Sequence, residues 1–324
     1  MTAKTILGLR PGLATVLLAS GAGTPVGLPV AGLVETERLA RRIEGLNLCT
    51  ATRIMEVIHG AKPRLPKGIH KTLQRHDQLR DTAFNIYKAK IDHLLNEAEA
   101  EVMANVRKNY KPIPVQAVLR AADPKAAANL NFDLKEFSSK FSAAMQDAAQ
   151  QSFQVTSRGL LNHLGQHEKA TDNGVIRDFI NKRANKISGC PDEIFKDINS
   201  ELKEGTQQGE TMKELAERIQ HAFANISLKR AITIAATESQ SVYGTAQADA
   251  IDQAGFEQKQ WVNMDDDLVR PSHVECGDQG PIGVDEEFVN GLMFPGDPDG
   301  EADEVINCRC YLVSAGDVSD EYEP

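Results

Sequence analysis

Two short runs near the end of the chain carry the residues best suited to chemistry. His273-Val-Glu-Cys276 and Cys308-Arg-Cys310 supply one imidazole and three thiols. These are the soft donors of a tetrahedral zinc site. On a strand, Cys308 and Cys310 point to the same face with Cα atoms about 6.6 Å apart. A preceding loop carrying His273 and Cys276 would complete a four-donor structural site. In a small module with few large apolar side chains, zinc there adds stability that the core lacks. A C-x-C pair is less specific than C-x₂-C. Two metal-free readings therefore stand beside zinc: a disulfide from Cys276 to Cys308 or Cys310, and three thiols packed with an imidazole. Cys49 and Cys190 are isolated and read as inert thiols. Five cysteines, an odd count, do not indicate a secreted disulfide framework.

Other chemistry is less well supported. Glu238 falls on the apolar stripe of a helix, where an ionised carboxylate is costly unless paired. It reads either as a boundary residue reaching solvent or as a buried carboxylate that holds an arginine or lines a cleft. Asp265-Asp266-Asp267 and the acidic run 297–303 lack EF-hand ligand spacing and read as solvated loops. No Gly-rich phosphate loop, H-E-x-x-H or G-x-S-x-G sequence occurs. His273 with Cys276 makes a poor nucleophile pair without a third orienting group.

The elements that must position these residues follow from composition and periodicity. The chain has 324 residues, 41% apolar and 25% charged, which suits two or three folded domains, or one with a long extension. Aromatics at 5% argue against a large aromatic β core. Residues 262–324 hold 17 Asp and Glu against Arg270 and Arg309 alone, a net −15, while the remainder nets +5. An acidic unit thus follows a mildly basic body. No apolar run reaches the roughly 18 residues of a membrane helix, so no membrane contact is expected. The N-terminus imitates a signal peptide, with Lys4 and Arg10 before an apolar run from Leu13. Its glycines and prolines favour an arm that docks on a partner.

A helix is expected over 35–58, broken by Pro63 and Pro66. Leu79, Ala83, Tyr87, Ile91, Leu94, Ala98, Val102 and Val106 form one stripe on a helix over 69–110, about 60 Å long. Pro112 and Pro114 end it. A loop through Asp123 and Pro124 leads to a second long helix, capped by Asp133 with Glu136 as capping-box partner and running to Leu164. Shorter helices follow at 175–187, at 192–203 (stopped by Gly205), from Thr211 with a capping box to Glu214, and from Ser227 to Gly255. Strands are expected at 256–262 and 305–313, separated by a stretch rich in glycine and proline. The fold class is mainly α with a small α+β C-terminal module: long helical arms or a hairpin, then short helices and a few-stranded, loop-rich sheet.

The order of several residues resembles the phage Mu protein F-like family of minor head, or head morphogenesis, proteins. They are Thr237-Glu238, Gly255, Trp261, Asp267-Leu-Val-Arg270-Pro-Ser-His273, Gly277, Phe288, Pro295-Gly296-Asp297 and Asn307-Cys-Arg309-Cys310. The run Gly209-Glu-Thr-Met-Lys-Glu-Leu215 looks like the family's lead-in. The resemblance covers about 172–313. Ala236 stands where the family commonly has arginine, and Cys276 lies outside the family's pattern.

The resemblance implies a structural virion protein of a tailed phage, associated with the portal vertex and acting in head assembly, DNA packaging or ejection. The implied partners are portal, capsid and scaffold proteins, in multiple copies around a symmetric ring, with viral DNA as a secondary partner. The implied locations are the virion head and, during assembly, the host cytoplasm. It also casts the motif's polar residues as architecture, with Arg270 paired to Asp267 or Glu238 and His273 tied to the cysteine strand. No basic stripe with interleaved aromatics marks a DNA groove. The alternative is a zinc-dependent hydrolase or nuclease built on His273, Cys276, Cys308 and Cys310 with Glu238 as base. Four protein donors would close that site to substrate. The division expected is 1–34 arm, 35–170 long-helix bundle, 171–316 family-like module and 317–324 acidic tail.

Overall fold

A computed structural model of the chain describes residues 70–112, 127, 129–166, 173–264 and 266–315. The N-terminal arm, the helix expected at 35–58 with Cys49, the breaks at Pro63, Pro66 and Pro114, the Asp123–Pro124 loop, Asp265 and the tail 317–324 lie outside the described residues.

The protein is mainly helical. Helix α1 (His70–Asn109) is unbroken over 40 residues. Its stripe from Ala83 to Val106 is buried, with only Leu79 half-buried. Arg107 and Lys108 complement the helix dipole in the last turn. Helix α2 (Leu134–His163) starts at the Asp133 cap, whose side chain accepts from the Glu136 N–H. The expected reciprocal capping box is replaced by a bond between elements: the Asp133 N–H donates to Glu101 of α1 at 3.0 Å. Phe137, Phe141, Met145, Ala148 and Ser152 are buried along α2.

Helix α3 spans Asn173–Ile187 and α4 spans Cys190–Gln208. Helix α4 runs through Gly205 and stops at left-handed Gly209, φ 69°. Gly205 is a packing glycine rather than a stop. A Cβ there would come 2.6 Å from Leu215 Cδ1 of α5. Helix α5 (Met212–Ile226) has the expected Thr211–Glu214 capping box. It does not end before the next helix. A π turn at Ser227–Ala231 carries the chain into α6 (Ile232–Ala254), and Gly255 closes α6 at φ 77°. Ser227 therefore opens no separate helix; its hydroxyl donates to Asp92 of α1 at 2.9 Å.

The sheet is small and antiparallel, in the order β2-β1-β3, with β1 at Gln258–Val262, β2 at Ile282–Gly283 and β3 at Tyr311–Ser314. Strand β3 is shorter than the expected 305–313. Residues Ala302–Val305 form a helical turn, α8, and Asn307 takes a left-handed φ of 56°, which interrupts extended backbone. Helix α7 (Pro271–Asp278), opened by Pro271 at its first turn, replaces the loop expected around His273.

One apolar core runs from Leu73 to Val313 and includes side chains of α1 to α6, β1 and β3. Helix α6 packs against both α1 and α2, so the core crosses position 171 without a break. Alternation along the strands splits the sheet's faces. Val262, Tyr311 and Val313 join the main core, while Trp261 and Leu312, directly paired, join a second cluster with Cys276, Phe288, Cys308 and Cys310.

Helix α6 meets the loop at 294–297 so closely that one position has no room for a side chain. A Cβ on Gly244 would lie 2.2 Å from the Pro295 carbonyl oxygen. Alanine favours helix over glycine by about 1 kcal/mol, yet Gly244→Ala is expected to cost about 1–3 kcal/mol by overpacking. Urea unfolding checks this. A stabilised variant would mean that the loop is not seated on α6.

Candidate functional site

Helix α6 is the spine of the site, because Thr237, Gln240 and Ser241, on two successive turns, present polar side chains to the loop-rich half. The Thr237 hydroxyl accepts the Asn307 N–H at 3.2 Å. The Gln240 amide donates to the Cys310 carbonyl at 2.9 Å and to Pro295 at 3.3 Å. Ser241 donates to the Gly296 carbonyl at 2.5 Å. Below them, Glu238 is 2% exposed and takes a two-point hydrogen bond from Arg183 of α3, with Nε donating to Oε2 at 3.0 Å and Nη2 to Oε1. Glu238 is therefore a buried partner and not a boundary residue that reaches solvent. The pair also lines a cavity of about 230 Å³ with Tyr87, Phe141 and Met145. Burial first, then the Glu238 charge, pushes the Tyr87 hydroxyl well above its usual range.

The cysteine run is held from several sides. Arg309 turns away from its neighbours to pair with Asp266 at 2.6 Å. Arg270 donates to the Ile306 carbonyl at 2.5 Å. The expected Arg270 pairing with Glu238 fails because Glu238 faces α3. Asp267 is exposed, and its neighbour Asp266 supplies the carboxylate of the motif. From α1, Arg80 reaches the same place. Its Nη1 donates to the Arg309 carbonyl at 2.9 Å and to Gln240 at 3.0 Å. Its Nη2 donates to Asp77 at 2.8 Å and to the Tyr311 hydroxyl at 2.7 Å. Tyr311 in turn donates to Asp77, and the guanidinium lies 4.5 Å from the Tyr311 ring centroid.

Turning Arg309 outward leaves Cys308 and Cys310 facing inward. Their sulfurs lie 3.7 and 3.4 Å from Nδ1 of His273. These three side chains are 5%, 2% and 1% exposed, respectively, and their donor atoms all fall within 4.8 Å of one another. The Trp261 ring packs edge-on against His273 with centroids 5.0 Å apart. His273 Nε2 meets Glu304 at 2.9 Å, and Ser272 and Asn290 also donate to that carboxylate. Burial would raise Glu304, but the bonds from Ser272, Asn290 and His273 prevail and hold it below the usual carboxylate range. The hydrogen bond with Cys310 holds the Cys308 thiol well below the ordinary thiol range, and the same contact pushes Cys310 well up. Cys276 is buried in the same apolar cluster but is not one of the three donors brought together. The four described cysteines, Cys190, Cys276, Cys308 and Cys310, are free thiols. Burial pushes the half-buried Cys190 up to about 11.

The acidic loop is not simply solvated. Asp297 is buried and accepts the N–H groups of Met293 and Asp299, both at 2.9 Å. Lys182 of α3 pairs with Asp299 at 2.8 Å, and Lys186 donates to the Gly300 carbonyl at 2.6 Å.

Sequence reasoning missed Arg80, Asp77, His76, Arg183, Gln240 and Glu304. A signal existed for His76 and Arg80. Both continue the spacing of the α1 stripe from Leu73, and a polar side chain on an apolar stripe requires a buried partner. His76 places Nδ1 2.6 Å from the Tyr243 hydroxyl, with the His163 ring edge-on at 5.5 Å. Burial, then His163 and Arg80, lower it from 6.5 to about 3.

Residues 196–313 match the family model described as Phage Mu protein F like protein. The match starts later than the resemblance drawn from about 172 and ends at the same residue. No curated protein and no solved structure matches the chain.

Because His76 binds a proton more weakly folded than unfolded, the unfolded chain carries more protons between pH 3 and 6.5. Stability is then expected to fall as pH drops from 6.5 to 4.5, by up to about 1.4 kcal/mol per pH unit for this group. His76→Gln should flatten that slope in urea titrations. An unchanged slope would show that His76 does not titrate on unfolding.

Proposed function

We propose that this chain, a member of the phage Mu protein F-like family over residues 196–313, is a structural minor head protein of a tailed phage, located at the portal vertex. The family suggests a phage head morphogenesis protein and, with it, association with the virion. The observation that supports an architectural role is how the motif's polar groups are used. Thr237, Glu238, Arg270, Asn307 and Arg309 each bond to another segment of the same chain. Thr237 and Asn307 tie α6 to the loop-rich half, Glu238 ties α6 to α3, and Arg270 and Arg309 brace the loop-rich half from within, so the motif's polar groups are spent on internal architecture.

On this reading the proposed partners are portal, capsid and scaffold proteins, in several copies around a ring, with assembly in the host cytoplasm and incorporation into the head. Contact with viral DNA is a secondary proposal. It rests on the mildly basic body alone, whose sequence shows no basic stripe with interleaved aromatics. No described helix is long and apolar enough to cross a membrane. The hydrolase reading is less favoured, because a catalytic metal needs a position open to substrate and the three donors are 5% exposed or less.

Mass spectrometry of purified heads, together with co-purification of the full chain with a portal ring, tests the proposal. The chain should be present in the heads in a copy number that matches a ring, and should elute with the portal assembly. Absence from heads and failure to bind the ring would refute the placement. A hydrolytic activity lost in a folded Cys308→Ser variant would favour the enzyme instead.

A further inference from the structure

The cluster of His273, Cys308 and Cys310 does more than fill space. Two thiols and an imidazole meet with their donor atoms within 4.8 Å, although they come from a helix and from an irregular run 35 and 37 residues later. Three observations say that the arrangement is built for a ligand.

The first is spacing. Zinc bonds of about 2.3 Å to sulfur and 2.0–2.1 Å to nitrogen, opened to a tetrahedral angle, separate the two donors by about 3.6 Å. The observed separations from Nδ1 are 3.4 and 3.7 Å. A thiol–imidazole hydrogen bond also fits these lengths, so spacing alone does not decide.

The second is the direction of the imidazole. Glu304 can only accept while ionised, so its bond to Nε2 puts the ring proton there and leaves the Nδ1 lone pair facing both sulfurs. A carboxylate behind a histidine is the usual outer partner of a metal-bound imidazole: it fixes the ring and raises its basicity. Glu304 is itself fixed by Ser272 and Asn290.

The third is convergence. A hydrogen-bonded imidazole needs one thiol, whereas two are held against Nδ1. The turn at Asn307 and the outward pairing of Arg309 with Asp266 hold them there.

We propose that His273 Nδ1, Cys308 Sγ and Cys310 Sγ bind one zinc ion, which staples helix α7 to the run leading into strand β3. The metal replaces the thiol protons, so two protons leave as two Zn–S bonds form and no electron is transferred. Cys276, one turn beyond His273 and equally buried, is not one of the three donors. A fourth donor from outside this set, such as a water molecule, would complete the tetrahedron, and the burial of the three protein donors makes the site structural.

The test uses the full chain, purified under reducing conditions, loaded with zinc and desalted, with metal counted by mass spectrometry. One zinc per chain is expected. Cobalt(II) in its place should give a tetrahedral spectrum with thiolate-to-cobalt charge transfer. Cys308→Ser and Cys310→Ser should each abolish stoichiometric binding, and Cys276→Ser should retain it. Glu304→Gln, which keeps the shape of the outer partner, should weaken affinity about 10- to 100-fold. If the serine variants fail to fold, the Cys276→Ser and Glu304→Gln results and the cobalt spectrum of the unaltered chain still decide. No bound zinc, a cobalt spectrum without thiolate bands, a Glu304→Gln affinity equal to that of the unaltered chain, or loss of metal on Cys276→Ser would overturn the assignment.

Discussion

The structure depends on one buried cation that takes its counter-ion from its own helix and its other acceptors from the second half of the chain. Arg80 sits 6% exposed on α1, and its guanidinium is shared among Asp77, Gln240, Tyr311 and the Arg309 carbonyl. Burying a guanidinium costs several kcal/mol unless its donors find acceptors in good geometry. The planar fork allows that here, where lysine's single ammonium would not. Loss of the side chain would leave half-buried Asp77 with the Tyr311 hydroxyl in place of its cation, and would strip the Arg309 carbonyl and Gln240 of a donor. The long helix is thus more than a spacer. It supplies the group around which the C-terminal strand and the cysteine run settle.

The rest follows from the same bookkeeping of charge. The acidic half carries few cations of its own, and the helices provide the remainder: Lys182 and Lys186 for the loop at 299–300, and Arg80 for Tyr311 and the Arg309 carbonyl. Arg270 and Arg309, the acidic half's only Lys or Arg residues, are both used within it, on Ile306 and Asp266. Fixing Arg309 in this way turns the cysteines on either side toward His273. Electrostatic pairing at the surface of the module therefore sets the geometry of the buried cluster.

The helical part of the fold was legible in the sequence because its signals are local. The stripes on α1 and α2, the Thr211–Glu214 box and Gly255 mark elements that the structure contains. Gly205 and Ser227 misled for a physical reason. A glycine needed for close packing of α4 on α5 looks like a stop, and a serine inside a continuous helical run, bonded to Asp92, looks like a helix start. At the site, Glu238, His273, Cys308 and Cys310 are found from residue type and spacing. Glu304 on His273, Arg80 on the Arg309 carbonyl and Arg183 on Glu238 are not, because pairings across 31, 229 and 55 positions leave no trace in local spacing. The Arg270 reading failed likewise: Arg270 donates to the Ile306 carbonyl, while Glu238 is taken by Arg183 and Asp267 is exposed.

The central claim is that the long helices and the family-like segment are one cooperative unit joined through Arg80. The chain's single tryptophan, Trp261, reports on the sheet and cysteine cluster, while far-UV ellipticity is dominated by the helices. Urea unfolding followed by both signals tests the claim directly. Coincident transitions with one midpoint are predicted for a two-state unit. A Trp261 transition well separated from the loss of helix would contradict the account and divide the chain into independent domains.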